Sequence, residues 1–437
     1  MEAVVIFEDA LWSQFLPLTY TRPVCELRCG TGPLWGKIKR FVPHEVELHI
    51  HTRSHLTETL RNCIDGVFVN EFDRLDGKAT MFVNGRLLIS PEQPGSATDL
   101  PTGTAFLHNG ELLGASLSKS ATTNLLPHLA KPWDDDATNA VLEATNGSTQ
   151  DITGIGGISL LHYPWDIINN NAGLITSEFP YIATGGTGTM DPNAYVYGGN
   201  RSEVHLGAGA LIHPTVVLDV HQGPIYIGDN TEVFPHTRIE GPSYIGRDVQ
   251  IVGGKIREGC HIGDICRVGG EVEESIFHGY SNKYHDGSLG HAYVGEWVNL
   301  GSLTTNSDLK DTYGSVRIKM GDERIEAGMK VGCFIGDHVK TSIGTLIYTG
   351  KRIGFASHVH GVVTDDIPSF TISAKSIGDE GNQVELLFDS VIETHRRVLG
   401  RRKTIQTDTE RELLQHLFKA TADERKMANV RTGRPSL

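Results

Sequence analysis

The chain has 437 residues, with 39 Lys and Arg against 53 Asp and Glu, and the resulting net charge of −14 argues against a nucleic-acid partner. Aromatic residues make up only 7% while glycines number 50, a balance that suits many short strands and tight corners better than one large aromatic core. No run approaches the ~20 apolar residues of a membrane helix, Met1-Glu2-Ala3-Val4 lacks a basic region before an apolar one, and six cysteines are scattered without a C-x-x-C pair, so a soluble, cytoplasmic protein with buried free thiols is expected.

In chain order, Ala3-Val4-Val5-Ile6-Phe7, closed by Glu8-Asp9, reads as a buried parallel first strand that opens an α/β domain. Further strand-length runs at Gly66–Val69, Ala79–Val83 and Gly157–Leu161 alternate with helix-forming segments such as Ser54–Cys63. Residues 131–150 are polar and acidic, with Asp134-Asp135-Asp136 and Asn146-Gly147-Ser148, and predict an exposed insertion or loop. Pro164–Asn171 predicts a helix leaving the domain, and Gly185-Gly186-Thr187-Gly188-Thr189 a flexible hinge. The expected division is 1–195, 196–365 and a helical tail over 366–437.

Beyond the hinge, aliphatic residues recur every six positions: Leu206, Ile212, Leu218, then Ile227, Val233, Ile239, Ile245 and Ile251. The step continues through Ile256, Ile262 and Val268, then Val294 and Leu300, then Ile335, Ile347, Ile353 and Val359, with Thr341 filling one place. This period fits neither a helix nor one alternating strand; it fits a left-handed parallel β-helix, a triangular prism whose walls are short strands. Glycine often follows the aliphatic residue, as at Gly228, Gly246, Gly263 and Gly295, and is expected to supply the backbone angles of the corners. After Pro368 the step is lost, and Val384–Gly400 and Thr407–Met427 show helical spacing. Residues Arg431–Leu437 are expected to be disordered.

The rhythm also breaks between 277 and 293, in a stretch rich in His, Lys, Asn and Tyr, where binding chemistry tends to sit. His285, then Gly295-Glu296-Trp297-Val298-Asn299-Leu300-Gly301-Ser302 and Thr304-Thr305-Asn306, resembles the acetyltransferase half of the bifunctional N-acetylglucosamine-1-phosphate uridylyltransferase/glucosamine-1-phosphate acetyltransferase family. The resemblance implies acetyl-CoA as cosubstrate and an amino-sugar 1-phosphate as acceptor. His285 would be the general base toward the amine, a task suited to imidazole. Asn299 would lie beside the amine, the backbone at Gly301 and Ser302 would donate to the oxyanion, and Asn306 would contact the sugar. Arg257 stands where the family holds the sugar phosphate, a role a planar guanidinium fits; Glu273, Lys283 and Lys310 are further candidate contacts. Two departures, Ser275 and Ser288 in place of a lysine and a tyrosine, bear on which sugar is used.

Near the N-terminus, Leu16-Pro17-Leu18-Thr19-Tyr20-Thr21-Arg22-Pro23-Val24-Cys25-Glu26-Leu27-Arg28 resembles a subgroup of predicted sugar nucleotidylyltransferases in which the usual glycine-rich phosphate loop is degenerate. That implies phosphate contacts at Arg22 and Arg28 and a nucleotide-facing turn at Asn84, with Mg²⁺ and a nucleoside triphosphate as possible reactants although no metal-holding aspartate is evident. The family's prisms imply a homotrimer acting on sugar phosphate and nucleotide, with neither nucleic acid nor membrane as partner. Two alternatives stay open: nucleotidyl transfer alone with the prism as scaffold, and a zinc hydratase of the carbonic-anhydrase prism type to which His285 and His291 would contribute.

Overall fold

The computed structural model describes residues 1–93, 100–321, 323–376 and 381–433. Contacts divide the chain into two units. The first comprises Met1–Phe15, Thr21–Leu27 and Gly32–Tyr163, and the second comprises Leu16–Tyr20, Arg28–Thr31 and the chain from Pro164 onward. The change of unit at Tyr163 lies ahead of the expected 195.

The first unit is built on a seven-stranded sheet ordered Thr149–Asp151, Thr104–His108, Glu111–Leu117, Thr80–Asn84, Ala3–Phe7, Glu47–His51, Phe68–Val69. Ala3–Phe7 is central, parallel to both neighbours and wholly buried, as its unbroken apolar run requires. Helices α1 (Leu34–Lys39), α2 (Thr57–Cys63), α3 (Lys119–Leu129) and α4 (Asp135–Ala144) accompany the sheet. The predicted loop over 131–150 is therefore a helix and an edge strand. Asp134 caps α4 by accepting from the Ala137 N–H at 2.9 Å, and Trp133 stacks on Phe7 with ring centroids 3.8 Å apart. The acidic triplet is a helix start, where negative charge meets the positive end of the helix dipole.

In the second unit, α5 (Pro164–Ile182) precedes a parallel β-helix of the left-handed hexapeptide class. One wall runs through eight parallel strands in which Leu206, Ile227, Ile245, Ile262, Phe277, Val294, Ile335 and Ile353 stand in register, all at most 2% exposed. Burying such a stack, at about 1.5 to 3 kcal/mol per side chain, is what holds the coils together. The glycines after these residues serve a different purpose from the one expected. Gly228, Gly246, Gly263 and Gly295 do not take left-handed angles; the residues two further on, Asn230, Asp248, Ile265 and Trp297, do, with φ between 55 and 62°. The glycines are needed for close approach between coils, since a Cβ on Gly263 would lie 2.1 Å from the His278 carbonyl oxygen.

The predicted hinge is already prism: Thr189–Met190 pairs with Leu211–Ile212, and a Cβ on Gly186 would lie 2.7 Å from the Leu206 oxygen. A hairpin, Val316–Met320 with Glu323–Gly328, interrupts the coils. The prism also extends past 365, because Thr371–Lys375 pairs in parallel with His358–Val363. Asn382–Glu385 then turns back, so the segment from Val384 opens as strand. Helices α6 (Phe388–Gly400), α7 (Asp408–Ala420) and α8 (Ala422–Met427) pack on the same unit, with His395 of α6 against His338 and Phe418 of α7 against Phe370. Arg431 is held by bonds to Gln383 and Glu385, and residues 434–437 of the expected disordered end lie outside the described residues. Of the cysteines, Cys63 is exposed and the other five are buried. Among the described residues no helix is long and apolar enough to cross a membrane.

Candidate active site

The stretch between 277 and 293 does not break the prism; it forms a shorter coil. Asn282-Lys283 pairs with Arg267-Val268 on one side, and Asn282 bridges to Asn299 on the other. The Leu303 N–H donates to the Asp286 oxygen at 2.7 Å, so Asn299–Ser302 lies on the coil next to His285, with Ser302 in register beside it. His285, Asn299, Gly301 and Ser302 thus share one stretch of two stacked coils. His285 is exposed, with its ring edge-on to Tyr284 at 5.2 Å, and the exposed Asn299 accepts from the Asn282 amide at 3.4 Å. The Gly301 N–H donates to Thr341 Oγ1 at 2.9 Å, which leaves Ser302 as the backbone donor of that pair to consider for an oxyanion.

The remaining candidates lie elsewhere or are already engaged. Asn306 is buried, its Oδ1 accepting from the Gly290 N–H at 2.8 Å and its Nδ2 donating to the Gly290 and Ser307 oxygens, so it clamps the coil instead of facing a sugar. Lys310 donates to the Ser315 oxygen at 2.6 Å. Lys283 is 2% exposed, with Nζ donating to the Gly269, His285 and Gly287 oxygens, so it is not a substrate contact as placed. Arg257 is set among Glu273 at 3.1 Å, Glu258 at 3.7 Å and Glu240 at 3.8 Å, and Glu273 also pairs with Lys330. Arg257 borders an open cleft of about 540 Å³ with Asp219, Arg238, Glu240, Glu258 and Thr176 of α5. Burial and the facing Glu258 carboxyl push Glu240 up. A phosphate there would compete with three carboxylates for the guanidinium.

His291 belongs to a cluster that sequence reading missed. Its ring lies 2.8 Å from Asp308 and 3.1 Å from Glu274, and although burial opposes the charge these two carboxylates raise it to about 9. Glu274, His291 and Asp308 are 17 residues apart, one coil each, so charge pairing at coil spacing was the available signal. Among the described residues of the chain no group of three or more His, Cys, Asp or Glu is placed to hold a metal ion.

In the first unit the strand Ala3–Phe7 delivers Glu8 and Asp9 to its C-terminal end, where parallel sheets place their ligands. Both carboxylates are occupied. Arg86, 2% exposed, grips Asp9 at 2.8 Å and Glu111 at 2.6 Å, and Asn84 Nδ2 donates to Asp9 at 2.8 Å. Arg53 grips Glu8 at 3.0 Å and stacks 3.8 Å over Trp12, while its Nη2 donates to the Arg22 oxygen. His162 lies 2.6 Å from Glu111. Asn84 and Arg22 thus stand in this unit, whereas Arg28 belongs to the second, where its N–H donates to the Tyr293 hydroxyl at 2.9 Å. The expected trio of nucleotide contacts is split between units.

Residues 4–187 match the family model described as sugar nucleotidyl transferase. The chain is 24% identical over 304 residues to the bifunctional protein GlmU of Thermotoga sp. (strain RQ2), covering 64% of this chain and 61% of that protein. It is 33% identical over 100 residues to the bifunctional sugar-1-phosphate nucleotidylyltransferase/acetyltransferase of Sulfurisphaera tokodaii, covering 22% of this chain and 25% of that one. The chain therefore spans about three fifths of the length of the first curated relatives. Among solved structures, the UDP-N-acetylglucosamine acyltransferase of Francisella novicida is 15% identical over 55% of this chain and 87% of its own, with a TM-score of 0.27.

Proposed function

We propose that the chain is a transferase of nucleotide-sugar biosynthesis whose prism acetylates the amine of an amino-sugar 1-phosphate with acetyl-CoA. The observation that carries this reading is the stacking of His285 beside Asn299–Ser302 on adjacent coils, with His285 exposed to solvent. In this mechanism the amine nitrogen attacks the thioester carbonyl while the His285 imidazole takes its proton. The Asn299 amide orients the amine, and the Ser302 N–H donates to the oxyanion of the tetrahedral intermediate. Collapse expels the thiolate, which takes up a proton and leaves as coenzyme A. The exposed apolar side chains Leu303, Ile343, Leu346 and Tyr348 support assembly into a homotrimer. The proposed setting is the cytoplasm.

The family match over 4–187 favours a second activity, nucleotidyl transfer to a sugar 1-phosphate, in the first unit. The residues there do not fit Mg²⁺ as they stand, because Asp9 already carries Arg86 and Asn84 while Glu111 carries Arg86 and His162. The test is thiol release from acetyl-CoA against a panel of amino-sugar 1-phosphates, with pyrophosphate release from nucleoside triphosphates followed in parallel. Thiol release that depends on one amino sugar upholds the reading; pyrophosphate alone moves the chemistry to the first unit and leaves the prism a scaffold.

A further inference from the structure

Within the prism, one inward column runs through Ile212, Val233, Ile251 and Val268, and the next residue in register is Lys283. Above it the column resumes with Leu300 and continues through Thr341 and Val359. Lys283 is thus the one charged side chain among eight positions that are otherwise aliphatic or threonine. Its Nζ donates to three backbone oxygens: Gly269 at 2.9 Å, His285 at 3.2 Å and Gly287 at 2.6 Å. These three bonds use the donor capacity of an ammonium. Gly270, at φ +68°, shapes the berth, since a Cβ there would lie 2.5 Å from Nζ. A buried charge is costly unless its partners are in place, so retaining one where its neighbours in the column are uncharged calls for a compensating use.

We infer that Lys283 is a positioning residue: it acts as a built-in cation that draws the carbonyls of His285 and Gly287 inward and so fixes the exposed imidazole of His285 against the coil of Asn299–Ser302. This rests on the proposed acyl transfer, because it assigns Lys283 to the same site from beneath. The carbonyl of His285 itself is a ligand of the ammonium, so the backbone that carries the base cannot shift without losing a charge-assisted bond. Burial lowers Lys283 to about 8, with Asp286 and Glu271 opposing that change, and the three carbonyls complement the charged form. A methionine in its place would fill the column much as its neighbours do, yet supply no donor to the loop.

The test is Lys283→Met in the full chain, with Lys283→Ala alongside. For Lys283→Met we expect thiol release to lose about ten- to a hundredfold in kcat, with KM for both substrates within about threefold and thermal unfolding still cooperative. The Lys283→Ala variant leaves three converging oxygens, so ammonium ions should restore part of its kcat where tetramethylammonium does not. An independent readout is the His285 ring resonance, identified by its loss in His285→Asn, which should shift and broaden in Lys283→Met. An unchanged kcat together with an unchanged His285 resonance would overturn the inference. If the wild-type chain itself releases no thiol, the acyl-transfer reading fails, and the ring resonance alone decides whether Lys283 holds His285.

Discussion

The carboxylates at the strand ends of the first unit and the imidazole on the prism present opposite situations. Glu8 and Asp9 arrive where a parallel sheet gathers its ligands, yet Arg53, Arg86 and Asn84 occupy their oxygens. His285 stands exposed on a coil whose neighbours are pinned beneath it. The first arrangement supports structure at the expense of free chemistry, and the second leaves the proposed base uncommitted while its backbone is held. Electrostatics account for the difference: a guanidinium beside two carboxylates is at its most stable when nothing displaces it, whereas a solvated imidazole has little to lose on meeting a substrate.

The sharpest way to break this contrast is His285→Ala, expected to cut thiol release by about two to four orders of magnitude; near-normal turnover would mean that the uncommitted group is not the reactive one. Next is Arg86→Leu, which strands Asp9 and Glu111 beside an apolar side chain. It is expected to lower stability by about 3 to 5 kcal/mol, read from the urea midpoint. A shift well below 1 kcal/mol would show that Arg86 is exchangeable and that the carboxylates are available for ligands after all. The smallest effect concerns a third kind of cluster, bases without acids, between the prism and α6. There His338, Lys340 and His358 of the prism line a small cavity with His395 of α6. Burial lowers His358 and His395 to about 4 and Lys340 to about 7, and the neighbouring charges acting on the two imidazoles are themselves basic. The undocked tail and prism therefore bind more protons than the docked ones between about pH 4 and 6.5 for the imidazoles, and between about 7 and 10.4 for the lysine. Docking should strengthen as pH rises through both windows. Hydrogen exchange of α6, corrected for intrinsic rates, should show protection about tenfold lower at pH 5 than at pH 8; equal protection would contradict it.

The prism was legible because its inward positions demand one residue type at a fixed step, so Ile227, Ile245 and Ile262 announce a wall without any tertiary knowledge. The function of the corner glycines was not legible. Close approach between coils and left-handed angles both select glycine, and only the placement of Asn230, Asp248 and Ile265 separates the two. The inward turn of Lys283 was hidden by coil length: Ile262 pairs with Phe277 and Phe277 with Val294, fifteen and seventeen residues on instead of the eighteen between Ile227 and Ile245. With the step altered, lysine in a column position reads as surface. The helix within 131–150 was not legible because the acidic triplet that suggests solvent is also a helix cap, and the buried Trp133 beside it was the better guide. At the candidate site, His285 and Asn299 were legible as a motif, whereas the burial of Asn306 and Lys283 was not, because motif spacing does not say which way a side chain points.

The hairpin Val316–Met320 with Glu323–Gly328 enters between two coils, yet Tyr293 and Val294 still pair in register with Phe334 and Ile335 across it. Because each coil is located by its own corners, chain length can change at a corner without propagating a frame error through the stack. The protein can therefore acquire or lose loops there as an edited text gains a parenthesis, and the hairpin is the natural place to graft a reporter or a new specificity element while the reading frame of the walls is preserved.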